Sequence, residues 1–214
     1  MQFGNSSSNN KIGCLDSDGD GWANVDDAFD FEPTQWSDTD GDGFGDNSEG
    51  VNADDCVDVA GDSIFDRQGC YDMDEDGYSN PDNMWDEDNG ADAFPQNPLQ
   101  WSDVDGDGLG DNWGNSTWLD RSENWPGVFI ESINPNEQDA CPFQSGTSNQ
   151  QGVYGCPDFD GDGWSDDMDM FVQEITQWVD SDGDGFGDNL DGLNGDYCPN
   201  TVSYTHLTLP TKEG

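Results

Sequence analysis

Aspartate recurs at every second residue in six short runs, starting at Asp16, Asp38, Asp72, Asp103, Asp158 and Asp180, and each run ends in glycine. Carboxylates spaced in this way can converge on one hard cation. In a twelve-position loop they supply oxygen ligands at positions 1, 3 and 5, and glycine at position 6 allows the chain to turn around the ion. Position 7 lends a backbone carbonyl, position 9 acts directly or through water, and position 12 closes the shell. The implied chemistry is oxygen coordination of calcium. Six matched runs in 214 residues imply that metal organises the fold.

The first run places Asp16, Asp18 and Asp20 at positions 1, 3 and 5, with Gly21, Trp22, Asn24 and Asp27 at 6, 7, 9 and 12. The fifth run repeats this with Asp158, Asp160, Asp162, Gly163, Trp164, Asp166 and Asp169. The second offers Asp38, Asp40, Asp42, Gly43, Phe44, Asp46 and Glu49, and the sixth Asp180, Asp182, Asp184, Gly185, Phe186, Asp188 and Asp191. Two runs are less regular. The third has Asp72, Asp74, Asp76, Gly77, Tyr78 and Asn80, but Asn83 at position 12, so Asp92 is nominated to close it. The fourth has Asp103, Asp105, Asp107, Gly108, Leu109 and Asp111, but Gly114 at position 12. Its closing ligand is expected from Glu131 or Glu137, and the site is expected to be weaker or differently completed. The ring at position 7 is expected to pack in a small local core.

The runs belong to three copies of one unit, aligned on Gly13-Cys14, Gly69-Cys70 and Gly155-Cys156. After the first loop of each comes Asp-x-Phe (Asp27 to Phe29, Asp92 to Phe94, Asp169 to Phe171) and then Gln-Trp (Gln35-Trp36, Gln100-Trp101, Gln177-Trp178). Each copy ends with aspartate two residues before cysteine: Asp54 and Cys56, Asp139 and Cys141, Asp196 and Cys198. Copies one and three align without gaps. Copy two carries nine extra residues between Asp76 and Asp92 and twenty between Asp111 and Asp139, where loops tolerate them. The expected division is a connector tail at 1–13, repeat one at 14–56, a connector at 57–69, repeat two at 70–141, a connector at 142–155, repeat three at 156–198, and 199–214. The last stretch contains VSYTHLTLPT, which resembles a translated sequencing-library adapter. Residues 202–214, with the single histidine His206, are set apart as an expected artefact. The chain is expected to be a piece of a longer protein.

Forty-nine acids against four basic residues give a formal charge of −45, and only 31% of residues are hydrophobic. Alone this is the composition of a self-repelling, disordered chain. Nine Trp and eleven Phe argue otherwise. At least six calcium ions are expected, and six would bring the formal charge to about −33. Such acidity excludes nucleic acid as a partner and disfavours docking on anionic lipid. No apolar run is long enough to insert directly into a membrane.

The loops are not EF-hands. Ten residues separate Asp27 from Asp38, Pro33 among them, and copy two has Pro95 and Pro98 in the same stretch, so no flanking helix fits. Nor are the Leu- and Lys-rich helices of dockerin present. Cys14-Leu15-Asp16-Ser17-Asp18-Gly19-Asp20-Gly21, its five partner loops and the connecting cysteines resemble thrombospondin type 3 repeats, in particular their relatives in secreted proteins of aquatic microbes. The resemblance covers about residues 1–200. It implies calcium packed along an irregular chain, often with more than one ion per repeat. The expected fold is mostly coil: an elongated, calcium-stabilised tandem array with short helical turns and little regular secondary structure.

Six cysteines in such a chain imply an oxidising compartment. Zinc is disfavoured because no C-x-x-C occurs and His206 is the sole histidine. Two pairing schemes compete. One closes each repeat on itself, as Cys14–Cys56, Cys70–Cys141 and Cys156–Cys198. The other closes the connectors, as Cys56–Cys70 and Cys141–Cys156. The connectors are short and of near-constant length, which favours the second scheme.

The expected function is a non-enzymatic calcium-binding stalk or spacer, extracellular or on the cell surface. The alternative is a calcium-dependent adhesion or carbohydrate-binding module meeting surface glycans or other extracellular proteins. It would use the aromatic insertion of copy two, with Trp113, Trp118, Trp125 and Phe129. Carboxylate pairs could serve a glycosidase, but acids committed to cations stay ionised, and no nucleophile and base stand together.

Overall fold

The computed structural model describes residues 5–8, 11–116 and 124–202. Trp118, His206, Gly4 and the 203–214 part of the tail lie outside the described residues. Among the described residues there is no α-helix. Regular structure amounts to 3-10 turns at Glu87–Asn89 and Pro135–Glu137, and one hairpin of β1 (Asn149–Gln150) and β2 (Val153–Tyr154). Its strands are antiparallel, with Asn149 opposite Tyr154 and Gln150 opposite Val153. The irregular fold read from the sequence is the fold observed. The chain forms two compact units, Met1–Ser102 and Asp103–Gly214, with three aspartate ladders in each.

The interior is polar. Buried apolar residues are few, chiefly Ala23, Ala91, Trp113 and Ile133 with the half-cystines Cys70 and Cys156. The fully buried side chains are led instead by Gln35, Gln100, Gln138 and Gln177. A buried amide is tolerable only when hydrogen-bonded, and those of Gln35, Gln138 and Gln177 are. Gln35 Nε2 donates to the carbonyls of Asn47 and Val51 at 3.0 and 3.1 Å, and its Oε1 accepts the Asn47 N–H at 3.0 Å. Gln177 repeats this with Asn189 and Leu193 at 2.9, 3.0 and 3.0 Å. Thr34 and Thr176 add their own bonds to the same segments. Gln35 and Gln177 thus each hold the chain that follows the second ladder of their own repeat. Gly45 is required beside it, since a Cβ there would lie 2.1 Å from the Gln35 amide.

Folded around this pin, the backbone returns on itself. Gly45 N–H donates to Asn52 at 3.1 Å and Asp54 N–H to Gly45 at 2.8 Å. In the middle repeat Gly110 N–H donates to Glu137 at 3.1 Å and Asp139 N–H to Gly110 at 2.8 Å, across the twenty inserted residues. The Trp of each Gln-Trp pair stacks on the position 7 ring of the first ladder in its repeat. Trp22 and Trp36 lie 6.3 Å apart and nearly parallel, as do Trp164 and Trp178, while Tyr78 and Trp101 lie 5.3 Å apart.

Disulfides join Cys56 to Cys70 and Cys141 to Cys156, the connector scheme, while Cys14 and Cys198 are free and exposed. Each closed connector touches a ladder at both ends. Gly61 N–H and Gly146 N–H reach back to Asp42 and Asp107 at 3.0 and 3.2 Å. Ile64 and Phe65 N–H reach forward to the Gly77 carbonyl at 2.8 and 2.9 Å, and Asn149 and Gln150 do the same to Gly163. Ser63 and Ser148 are buried inside their connectors, where their hydroxyls accept the N–H of Cys70 and Cys156.

Both insertions are anchored. Arg67 pairs with Asp82 at 2.7 Å and lies 5.4 Å over the Trp85 ring, whose Nε1 donates to Asp66. In the longer insertion Trp113, 8% exposed, meets the edges of Trp125 and Phe129, and Trp125 Nε1 donates to the Asp111 carbonyl at 2.7 Å. These rings form a small core.

Removing the pin should be costly in proportion to the groups it strands. Gln177→Ala is expected to lower the unfolding free energy by at least about 2 kcal/mol, given roughly 1–3 kcal/mol per stranded buried group, in denaturant titrations with calcium present. A change near zero would show that the amide is not the pin.

Candidate metal centres

The six ladders are built by one repeated hydrogen-bond pattern. The position 1 carboxylate accepts two backbone N–H groups, from positions 4 and 6. For Asp16 these are Gly19 and Gly21 at 2.6 and 3.1 Å, and for Asp180 they are Gly183 and Gly185 at 2.7 Å each. The position 5 carboxylate accepts the N–H of position 7, so that Asp20, Asp42, Asp76, Asp107, Asp162 and Asp184 bind the backbone of Trp22, Phe44, Tyr78, Leu109, Trp164 and Phe186 at 2.7–3.1 Å. Positions 4 and 6 both have positive φ. Glycine fills them everywhere except at Glu75, which sits at φ 64° in the third ladder and bears the strain of a left-handed conformation.

This turn gathers carboxylate oxygens. At Asp16, Asp38, Asp72, Asp103 and Asp158 one oxygen from each of the three ladder aspartates lies within 4.8 Å of the other two. Several of these oxygens are buried with no hydrogen-bond donor, including Oδ2 of Asp18, Asp20, Asp40, Asp74, Asp76, Asp105, Asp160, Asp162 and Asp182. Buried anionic oxygens without a donor fit a cation. The donors are all hard oxygens, which suits calcium, magnesium or manganese and not soft metals.

A fourth carboxylate faces each ladder, and all six are held alike. Oδ1 of Asp27, Asp92 and Asp169 accepts the N–H of Phe29, Phe94 and Phe171, each at 2.7 Å. Oδ1 of Asp54, Asp139 and Asp196 accepts the N–H of Cys56, Cys141 and Cys198 at 2.7–2.8 Å. In Asp54, Asp92 and Asp196 the second oxygen is buried without a donor. Asp92 stands against Asp72, Asp74 and Asp76, and Asp54 against Asp40, Asp42 and Asp46. Asp139 stands against Asp105, Asp107 and Asp111.

The structure therefore brings Asp27, Asp92 and Asp169 to the first ladders, as the sequence suggested, but not Glu49 and Asp191 to the second ones. Both of those side chains are exposed. Glu131 and Glu137 are exposed as well, and Asp139 takes the place expected of one of them. The three aspartates before cysteine are the residues that twelve-position counting missed. The glutamine pin and the Gly45-type return carry the chain past position 12 and bring it back five residues later in the ungapped repeats. A signal was present, because Asp-x-Cys closes the second ladder as Asp-x-Phe closes the first. Neither middle ladder lacks a closing carboxylate. Position 9 also differs from a simple ligand. Asp46, Asp166, Asp188 and Asn80 accept the N–H of the position 2 residue, from Thr39, Phe159, Ser181 and Met73 at 2.8–3.0 Å. Asn24 instead donates to Ser17, with its Oδ1 buried and unpartnered, and Asp111 is fully buried.

No protein-family model matches the chain, and no curated protein matches it. What the site can do rests on its own chemistry: groups of fixed carboxylates that could hold metal ions.

Burial and then like charge push the closing carboxyls up, Asp54 to about 6, Asp92 to about 7 and Asp139 to about 8, with Asp76 at about 6 in the third ladder. Asp46 is also raised by burial, but bonds from Ser37 and Thr39 outweigh that and hold it below its ordinary value. A raised folded-state value favours the metal-free fold in acid. That contribution is complete below about pH 4, where the unfolded carboxyls are also protonated, and is lost as pH rises through about 6 to 8. A cation must displace these protons.

Two outcomes follow. Divalent cation binding near neutral pH is expected to release protons, read as a buffer-dependent heat in titration calorimetry, and to weaken as pH falls from about 8 to 5; heat independent of the buffer would show the carboxyls already ionised. Asp54→Asn is expected to cost one bound ion in native mass spectrometry, and Glu49→Gln none. The reverse pattern would restore position 12 as the closing ligand.

Proposed function

We propose that the chain is a calcium-binding structural spacer of a secreted or cell-surface protein, a tandem array of the thrombospondin type 3 kind. The observation that carries this reading is the repetition of one four-carboxylate arrangement in every repeat, tied at its edges to disulfide-closed connectors. Calcium is the ion favoured. The loops offer many oxygens in an irregular shell rather than a few in a strict octahedron, and extracellular sites of this sort work at about 10⁻⁴–10⁻³ M. The disulfides support an oxidising compartment. Among the described residues no helix is long and apolar enough to cross a membrane.

The role is mechanical and not catalytic. With the ladder carboxylates held by the backbone and by a cation, the chain is ordered by charge neutralisation, and calcium sets its stiffness. The alternative, a sugar-binding platform on the longer insertion, draws less support. Trp113 is buried against Trp125 and Phe129, so its ring is not open to a sugar.

Chelation should then be visible in the size of the molecule. Excess EDTA is expected to increase the hydrodynamic radius and to remove the ordered tryptophan signal in near-ultraviolet circular dichroism, both restored by calcium. An unchanged radius in EDTA would sink the spacer reading.

A further inference from the structure

The two ladders of a repeat share a sequence pattern but do not offer a cation the same oxygens. In the first ladders the position 5 aspartates Asp20, Asp76 and Asp162 give Oδ1 to the position 7 N–H, and their Oδ2 is buried without a donor. In the second ladders at Asp38 and Asp103 that second oxygen is already engaged. Asp42 Oδ2 accepts Gly61 N–H at 3.0 Å, and Asp107 Oδ2 accepts Gly146 N–H at 3.2 Å. Those glycines cannot drift away. A Cβ on Gly61 would lie 2.0 Å from the Cys70 carbonyl, and one on Gly146 would lie 1.9 Å from that of Cys156, so each is clamped inside its connector. The closing aspartates of the same ladders lie under the connector too, since Gly69 and Gly155 pack on Oδ1 of Asp54 and Asp139.

We propose that the cation sites are of two kinds, and that the weaker kind, at Asp38 and Asp103, is the one fastened to the connectors. The proposal rests on the calcium reading above. A carboxylate oxygen that already accepts an N–H presents less charge to a cation, and a cation binding there must share that hydrogen bond or displace it. The third ladder offers donor-free buried oxygens from Asp74, Asp76 and the fully buried Asp92. The second offers them from Asp40 and the 4%-exposed Asp54. As calcium falls, the sites at Asp38 and Asp103 empty first. Their position 5 and closing carboxylates then repel without a counter-ion, directly beneath the connector, while the first ladders stay loaded and keep their ring stacks. Each connector loosens before its neighbouring repeats do, so the response of the array to calcium is graded and begins at the joints.

The ring at position 7 separates the two kinds of site by spectroscopy. Trp22, Tyr78 and Trp164 occupy it in the first ladders, and Phe44 and Leu109 in those at Asp38 and Asp103. Terbium, a hard oxygen-seeking stand-in for calcium, emits when an excited indole or phenol lies beside it. Titrated into the full chain, terbium is expected to give sensitised emission that saturates at about three equivalents, while native mass spectrometry follows binding to about six. The two phases should be separated by at least about tenfold in free cation. Asp42→Asn with Asp107→Asn is expected to remove equivalents from the late phase alone. Emission that climbs in step with the last bound ions would overturn the proposal, and so would a single affinity for all of them, with the calcium reading intact. Failure to bind terbium or calcium at all would overturn both.

Discussion

Three carboxylates brought within 4.8 Å of one another repel, by about 1 kcal/mol for each pair 4 Å apart in bulk water and about 4 kcal/mol at the effective dielectric of a protein surface. The rest of the molecule is arranged around that repulsion. Backbone N–H groups take one side of the position 1 and position 5 carboxylates, and the turn at positions 4 and 6 exists to present them. The outer oxygens are left to converge. In a chain of charge −45, cations held among these oxygens would relieve that repulsion, as protons do in acid.

The same constraint explains the polar interior. A large apolar core needs apolar sequence, and 31% hydrophobic content spread over many turns cannot supply one. Gln35 and Gln177 substitute for it. Each makes three hydrogen bonds with the backbone segment that follows its second ladder, which gives directional order where hydrophobic burial would give only compaction. The stacked rings serve the first ladder as the glutamine serves the second, so one Gln-Trp dipeptide positions both halves of a repeat.

Most of this was legible from spacing. Alternation and glycine placed the ladders. Near-constant connector length identified Cys56–Cys70 and Cys141–Cys156 against the longer alternatives, and prolines at 33, 95 and 98 ruled out flanking helices. Three things were harder to read. Counting to position 12 chose Glu49 and Asp191 because a linear count assumes that the loop closes at its first opportunity. The pin at Gln35 delays closure to Asp54, and a buried amide leaves no periodic trace. Repeat alignment nominated Asp92 for the third ladder, but the fourth read as weaker or differently completed because its closing residue was far away in sequence, and Asp139 returns to it 1% exposed. Finally, nothing in spacing marks the connector glycines Gly61 and Gly146, because their N–H bonds to Asp42 and Asp107 depend on long-range packing.

The return of the backbone at Gly110 and Asp139 has a further consequence. The two ends of the twenty-residue insertion are joined by a pair of main-chain hydrogen bonds, so what lies between them does not set the geometry of the ladder. Lengthening such a loop adds only a slowly growing entropic cost, about 0.6 kcal/mol for each doubling. The repeat is in effect a chassis with a port: the middle repeat carries its insertion there, and a protein engineer could use the equivalent place in the ungapped repeats, between Asn47 and Asn52 or between Asn189 and Asn194, to display a guest peptide on a frame held by buried amides.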